Sequence, residues 1–331
     1  MNNNYHIFKN GELVREDDNL RFNTEGEAPT YIPIKQVEAI YSHGQIDVNT
    51  RLLSFLNEEQ VELHVFGWAG QYSGTFLPQR GQVSGATIVG QVSAYTDDTH
   101  RREIASEIVE SSIHNMRNII QYRQREGEST YQSLLTRLDA VEQDLASAQR
   151  VTEILGIEAQ ARKIYYAIYR QEVAPEFSFD KREYRPPPDA INSMISYGNT
   201  ILYSQCTSAI RSTALDPTIS FVHEPGERRC SLALDIADLF KPLLVDRIIL
   251  ALVNTKQLTQ DDFNTEAGVC TIDEEKRRLF LKRFEQRLQE TVDHPTLKRK
   301  TSYQYLIQNE VYKLKKHILA GEPYNGFKKW W

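Results

Sequence analysis

Apolar and polar positions change rhythm once along the chain. From Tyr5 to about Leu77 the apolar residues fall in short alternating runs, YHIF, LRF, TYIPI, VELHVF and YSGTFLP. A period of two predicts strands with one buried face. Glycines at Gly11, Gly26, Gly44, Gly67, Gly70 and Gly74 punctuate these runs, as expected where loops need tight or left-handed backbone. One short helix fits between Asn49 and Asn57. From about Ala94 the period lengthens: Ile104, Ile108, Ile113, Met116 and Ile120 recur at helical spacing in a stretch without Pro or Gly. Helices are predicted over 98–125, 129–146, 149–172, 190–213, 231–254, 273–291 and 301–319. The RPPPD run at 185–189 interrupts them and places Asp189 as the N-cap of the helix that follows. The predicted class is α+β, with a β-rich domain over 1–90 followed by a larger all-α domain over 91–331.

Composition changes this picture little. Apolar content of 40% and charged content of 25% are those of an ordinary globular protein, and no apolar run is long enough to span a bilayer. The start, MNNNYHIFKNG, lacks a basic segment followed by an apolar stretch, so the cytoplasm is the expected compartment. Cys206, Cys230 and Cys270 are widely spaced with no CxxC pair, which disfavours a disulfide framework and a thiolate zinc site. Charge changes the picture more. Net charge is −6, yet residues 1–110 hold 8 Lys and Arg against 16 Asp and Glu, whereas residues 276–331 hold 14 against 5. The basic runs KRRLFLKRFEQR, LKRK and KLKK fit phosphate contacts as well as a plain solvated helix face.

Candidate chemistry concentrates in ALDPTISFVHEPGERRCSLALDIADLFKPLLVDRIILALVN, 214–254. A loop rich in Pro, Gly and charge delivers His223, and the following helix carries Asp235 and Asp238 among Leu232, Leu234, Ile236, Leu239 and Phe240. Carboxylates in such a stripe need a cation or donors, since burying an unpaired charge is costly. Two readings satisfy that need: a metal ion, or ion pairs with Arg228, Arg229 or Lys241. Glu158 lies beside an apolar row of Ile154, Ile157, Ala161 and Tyr165 and has the same ambiguity, because an i,i+4 contact with Arg162, worth about 0.3 kcal/mol, accounts for it equally well. Taken together, Glu158, His223 and Asp238 form an oxygen, nitrogen, oxygen set that suits Mn2+ and tolerates Mg2+, which points to phosphodiester chemistry. Tyr165, Tyr166 and Tyr169 sit at helical spacing and are expected in the core.

GIEAQARKIYY around Glu158, RPPPDAINSMISYGNTILY, and ALDPTISFVH followed by LALDIADLFKPLLVDR resemble the CRISPR-associated spacer integrase family, Cas protein one, particularly its subtype I-B lineage. YHIFKNGELVREDDNLRF, VEAIYSHGQIDVN and GTFLP resemble that family's β-rich domain, so the likeness spans nearly the whole chain. The resemblance implies a homodimer held through β domains, a small partner (Cas protein two), and a Mn2+- or Mg2+-dependent DNA endonuclease and integrase. In that reaction a 3′-hydroxyl attacks a phosphodiester of the CRISPR array. The resemblance maps metal ligation to Glu158, His223 and Asp238, and a further catalytic role to Asp235, with some ligand character left open. It also maps support of DNA or the site to Arg185, Asn192 and Lys241. Ala159, Ala214 and Ser220 stand where family members often have Gly. Two other functions fit parts of the pattern: a non-catalytic subunit that binds nucleic acid, and a metallohydrolase of small phosphate esters.

Overall fold

The computed structural model describes residues 3–67, 70–79, 84–125, 131–174, 176–177, 179–183, 186–227, 230–295 and 298–330. The chain divides into two compact units, Met1–Val83 and Ser84–Trp331. The N-terminal region is strand-rich and the C-terminal region mostly helical, the α+β arrangement expected from the two periodicities.

The first unit contains β1 (Asn3–Ile7), β2 (Gly11–Glu16), β3 (Asn19–Asn23), β4 (Thr30–Pro33), β5 (Val37–Ser42), β6 (Ile46–Val48), α1 (Thr50–Glu58), β7 (Glu62–Phe66) and β8 (Tyr72–Phe76). They form two four-stranded sheets, ordered β1-β5-β7-β8 and β4-β3-β2-β6. In the first sheet β5 runs parallel to β1 and β7, and β8 closes antiparallel on β7. In the second, β2, β3 and β4 form an antiparallel meander that β6 joins in parallel. One apolar core serves both sheets and α1, with Leu13, Leu20, Ile40, Leu52 and Leu56 fully buried. Each such side chain contributes about 1.5–3 kcal/mol through its removal from water. Asn49 starts α1 by accepting the Leu52 N–H at 2.9 Å.

The second unit contains α2 (Gly85–Thr96), α3 (Asp98–Arg125), α4 (Tyr131–Gln143), α5 (Val151–Tyr165), α6 (Ala167–Glu172), α7 (Ala190–Arg211), α8 (Ser231–Lys241), α9 (Arg247–Asn254), α10 (Glu274–Gln289) and α11 (Tyr303–Ala320). Two hairpins interrupt the helices: β9 (Phe263–Glu266) with β10 (Val269–Ile272), and β11 (Thr291–His294) with β12 (Arg299–Ser302). α3 is the central post, packed against α4, α5 and α8, while α7 lies on α8. Asp189 caps α7 by accepting the Asn192 N–H at 2.8 Å. Gly198 lets α7 close on its neighbours, because a Cβ there would meet Val245 at 2.6 Å and Phe280 at 2.8 Å. Among the described residues no helix is long and apolar enough to cross a membrane.

Three departures from the periodicity have local causes. The stretch 149–172 divides at Tyr166 into α5 and α6. The stretch 231–254 contains a π-helical turn, Pro242–Asp246, between α8 and α9. Pro242 has no N–H to donate four residues back, so the helical ladder is broken there. The unpredicted α2 begins at Gly85, which puts the division between the units at Val83/Ser84, where the change of rhythm suggested 90.

Candidate active site

α8 is buried almost all round: Leu232, Ala233, Ile236, Leu239 and Phe240 are fully buried, and Asp235 and Asp238 are 0% and 3% exposed among them. The two carboxylates are satisfied differently. Asp235 faces the loop before the helix, where Oδ2 accepts the N–H groups of Phe221 at 2.7 Å and Val222 at 3.0 Å. Its Oδ1 accepts the N–H of His223 at 3.1 Å and meets His223 Nδ1 at 2.8 Å. Three consecutive backbone donors and one imidazole therefore surround one carboxylate. An ionised carboxylate only accepts, so Nδ1 carries the ring proton and Nε2 presents its lone pair away from Asp235. Burial opposes protonation of His223, but the Asp235 hydrogen bond and the charges of Asp238 and Asp235 prevail and raise its pKa above 6.5.

The loop is itself anchored. Ser231 Oγ donates to the Thr218 carbonyl at 2.7 Å and the Leu232 N–H to the Pro217 carbonyl at 2.9 Å. Gln91 of α2, fully buried, donates to the carbonyls of Asp216 and Ile219 and accepts the Asp216 N–H. Arg101 Nε donates to the Phe221 carbonyl at 3.1 Å. Ser220, one of the replacements for Gly, donates through Oγ to the His223 carbonyl at 2.5 Å. Another, Ala214, has φ 66°, the left-handed region that Gly occupies without penalty.

Asp238 is held by cations. Its Oδ1 accepts Lys241 Nζ at 2.6 Å and Arg162 Nη2 at 3.0 Å, and Arg162 Nε donates to Glu158 Oε1 at 3.0 Å. Arg162 thus joins Glu158 on α5 to Asp238 on α8. Burial works against the charge on Asp238, yet Lys241, Arg162 and His223 together hold its pKa below the usual carboxylate value. Burial likewise opposes the charges on Arg162 and Lys241, and Asp238 foremost among their partners drives both pKa values up. Below the carboxylate, α3 caps two carbonyls of α8: Ser112 Oγ donates at 3.0 Å to that of Asp238, which Pro242 has no N–H to serve, and Asn115 Nδ2 donates to the Leu239 carbonyl at 2.9 Å.

The structure therefore brings His223 and Asp235 into direct contact, pairs Asp238 with Lys241, and connects Glu158 to Asp238 through Arg162. Asn192 stands apart from these bonds. Its side chain accepts from Arg182 Nη1 and the Glu183 N–H and donates to the Lys181 carbonyl, which fastens the segment 181–183 to the start of α7. Arg185, Arg228, Arg229 and Trp331 lie outside the described residues. Tyr165, Tyr166 and Tyr169 are buried, as expected from their spacing. Sequence reading missed Gln91, Ser112 and Asn115, and gave Arg162 a bond to Glu158 alone.

Among the described residues no three His, Cys, Asp or Glu side chains converge closely enough to hold a metal ion. Arg162 and Lys241 supply the positive charge at the carboxylates instead. The donor set still has the chemistry of a hard divalent site: two carboxylates each engaged through one oxygen in the bonds above, and an imidazole oriented by a second carboxylate. By that criterion Glu158, His223 and Asp238 fit Mn2+ or Mg2+.

A family model described as CRISPR associated protein Cas1 matches residues 5–286. The chain belongs to the Cas1 family. The CRISPR-associated endonuclease Cas1 of Haloferax volcanii is 48% identical over 330 residues, covering 99% of each chain. A solved Cas1 protein from Thermotoga maritima, 36% identical, superposes with a TM-score of 0.87 over 98% of this chain and 100% of that one. A casposase bound to integration product shares the Cas1 fold at 21% identity, with a TM-score of 0.85 over 99% of this chain and 93% of that one.

Proposed function

We propose that this Cas1 chain is a metal-dependent DNA endonuclease and integrase that inserts spacer DNA into CRISPR arrays. The 3′-oxygen of an incoming DNA end forms a bond to phosphorus while the array's own P–O3′ bond breaks. The attacking hydroxyl gives up its proton and the released 3′-oxygen takes one up, so one phosphodiester replaces another and no nucleotide is hydrolysed. Glu158, His223 and Asp238 would hold a Mn2+ or Mg2+ ion, which when bound would supply Lewis-acid activation of the hydroxyl and charge neutralisation at the phosphoryl oxygens.

The observation that carries this reading is the cradle of Asp235. A fully buried carboxylate organises three backbone N–H groups and fixes one tautomer of His223, an arrangement that serves to aim Nε2. With those bonds made, Asp235 works through His223 as a positioning residue, and the ligand role falls to Asp238. Lys241 and Arg162 balance the carboxylates, and Lys241 remains near the site to meet phosphate charge. The basic segment 276–331 supplies phosphate contacts that do not depend on sequence. DNA, a second copy of the chain and the small Cas protein two are the partners this reading requires, and the cytoplasm is the compartment.

The Arg162 bridge favours a second reading, in which ion pairing completes the site and the chain is a non-catalytic, nucleic-acid-binding assembly subunit. Manganese titration calorimetry separates the two. The integrase reading predicts a site lost in His223→Ala; the assembly reading predicts no binding that depends on His223.

A further inference from the structure

Arg162 spends only part of its donor capacity on the site. Nε serves Glu158, and Nη2 serves Asp238 with a longer contact to Ser112 Oγ at 3.4 Å. Nη1 is buried and has no hydrogen-bond partner. A buried N–H left without an acceptor is costly, about 1–3 kcal/mol, and few persist without a reason. Two more unpaired atoms lie within electrostatic reach of it, Asp246 Oδ2 and Tyr165 Oη. Asp246 closes the π-helical turn that follows α8 and is fully buried. Its Oδ1 accepts the Tyr169 hydroxyl at 2.8 Å, while Tyr165 Oη stands nearby without a well-formed bond. The core thus holds a cation with a spare donor, Arg162, and an anion with a spare acceptor, Asp246, each feeling the charge of the other.

These atoms have a use if Arg162 has two positions. In the position described, its charge occupies Glu158 and Asp238, the two carboxylates proposed to receive a divalent cation. A guanidinium and a divalent cation repel at such a distance, so cation binding requires Arg162 to give up part of its hold. Moving a buried guanidinium into apolar core is prohibitive, but moving it toward a waiting carboxylate is not. Burial raises the pKa of Asp246 to about 6, against the opposing pull of Arg162 and the Tyr169 and Tyr165 hydroxyls. Asp246 is therefore mostly ionised at pH 7.5. The π-helical turn supports this assignment, since such turns recur where a helix is deformed for function.

Resting on the metal-dependent reading above, we propose that Asp246 is a positioning residue: it receives the Arg162 guanidinium when a divalent cation takes Glu158 and Asp238, and so sets the affinity of the site for that cation. The test is manganese binding by the full-length chain, without DNA, at pH 7.5, with the thermal midpoint of every variant recorded. Asp246→Asn keeps the size of the side chain and removes its charge; its manganese dissociation constant should rise about tenfold. Arg162→Gln removes the cation that must move, so it should bind manganese at least as tightly as the wild type. Adding Asp246→Asn to Arg162→Gln should then change the affinity less than twofold, a non-additivity that a general loss of stability does not produce. Should Asp246→Asn fold poorly, Arg162→Gln alone still decides, because weaker binding than wild type overturns the proposal. Wild-type affinity in Asp246→Asn, or an unchanged tenfold loss in the double variant, also overturns it and leaves the metal reading standing. If the wild-type chain binds no manganese in a His223-dependent way, the metal reading fails and this proposal falls with it.

Discussion

The two ends of α8 solve one problem by opposite means. Toward its start, Asp235 is stabilised by backbone dipoles and one imidazole, all from the loop 221–223 immediately before the helix. Toward its end, Asp238 is stabilised by full positive charges on Lys241 and Arg162, the latter 76 positions away in sequence. Donors fixed in a folded loop hold geometry, because they cannot be withdrawn without unfolding the loop. Long charged side chains hold charge balance, because they can exchange one counterion for another. The first end fixes the orientation of His223, and the second keeps a carboxylate ionised in the core.

Activity should show the largest contrast. Asp238→Asn is expected to reduce strand transfer to background, whereas Asp235→Asn, which disturbs only the aim of His223, should lower it about 10–100-fold, as outer-shell changes do. Initial rates of joined product under saturating manganese measure both; equal losses would erase the distinction between ligand and positioning residue.

Stability should separate the ends next. Asp238→Ala leaves Arg162 and Lys241 buried without their shared counterion and should cost about 3–5 kcal/mol in urea denaturation. Asp235→Ala releases donors on a loop that can open to water and should cost about 1–3 kcal/mol. The reverse ranking would mean that the loop, not the ion-pair network, anchors the helix.

The two ends should also respond to opposite ends of the pH scale. His223 has a raised pKa, so its contribution is fully present below 6.5 and is lost as pH rises through the higher folded-state value. Asp238 has a lowered pKa, so its contribution is present above 3.8 and is lost as pH falls through the folded-state value below it. Unfolding free energies against pH for His223→Gln and Asp238→Asn should flatten the alkaline and acid limbs respectively. The smallest effect belongs to the loop's backbone: Ala214→Gly relieves a left-handed residue and should stabilise by at most about 1 kcal/mol, less the extra chain entropy of Gly. A destabilised variant would show that Ala214 carries no strain.

Local regularities were legible and long-range pairings were not. The helix over 98–125 coincides with α3, and Asp189 caps α7 as its position after three prolines suggests. α2 was missed because Gly85, Gly90 and the β-branched Thr87, Ile88 and Val89 give it no clear helical stripe. The hairpins after α9 and α10 were missed because each strand spans four residues, too few to establish a period. In the site, the burial of Asp235 and Asp238 followed from their apolar neighbours. Of their partners, only Lys241 was in view, as a candidate for either carboxylate, and it pairs with Asp238; the bridge from Arg162 to Asp238, the backbone cradle of Asp235 and the Gln91 anchor exist only once α2, α3, α5 and α8 are packed.

The central claim is that this site joins DNA ends. The most direct measurement is strand transfer by the purified chain, using a labelled short duplex with free 3′-hydroxyls, a supercoiled plasmid carrying a repeat array, and manganese, with and without the small Cas protein two. Labelled plasmid that requires manganese, the 3′-hydroxyl and His223 is the predicted result. A folded chain that binds DNA yet yields no joined product with the partner present, or yields the same product in His223→Ala, would contradict it.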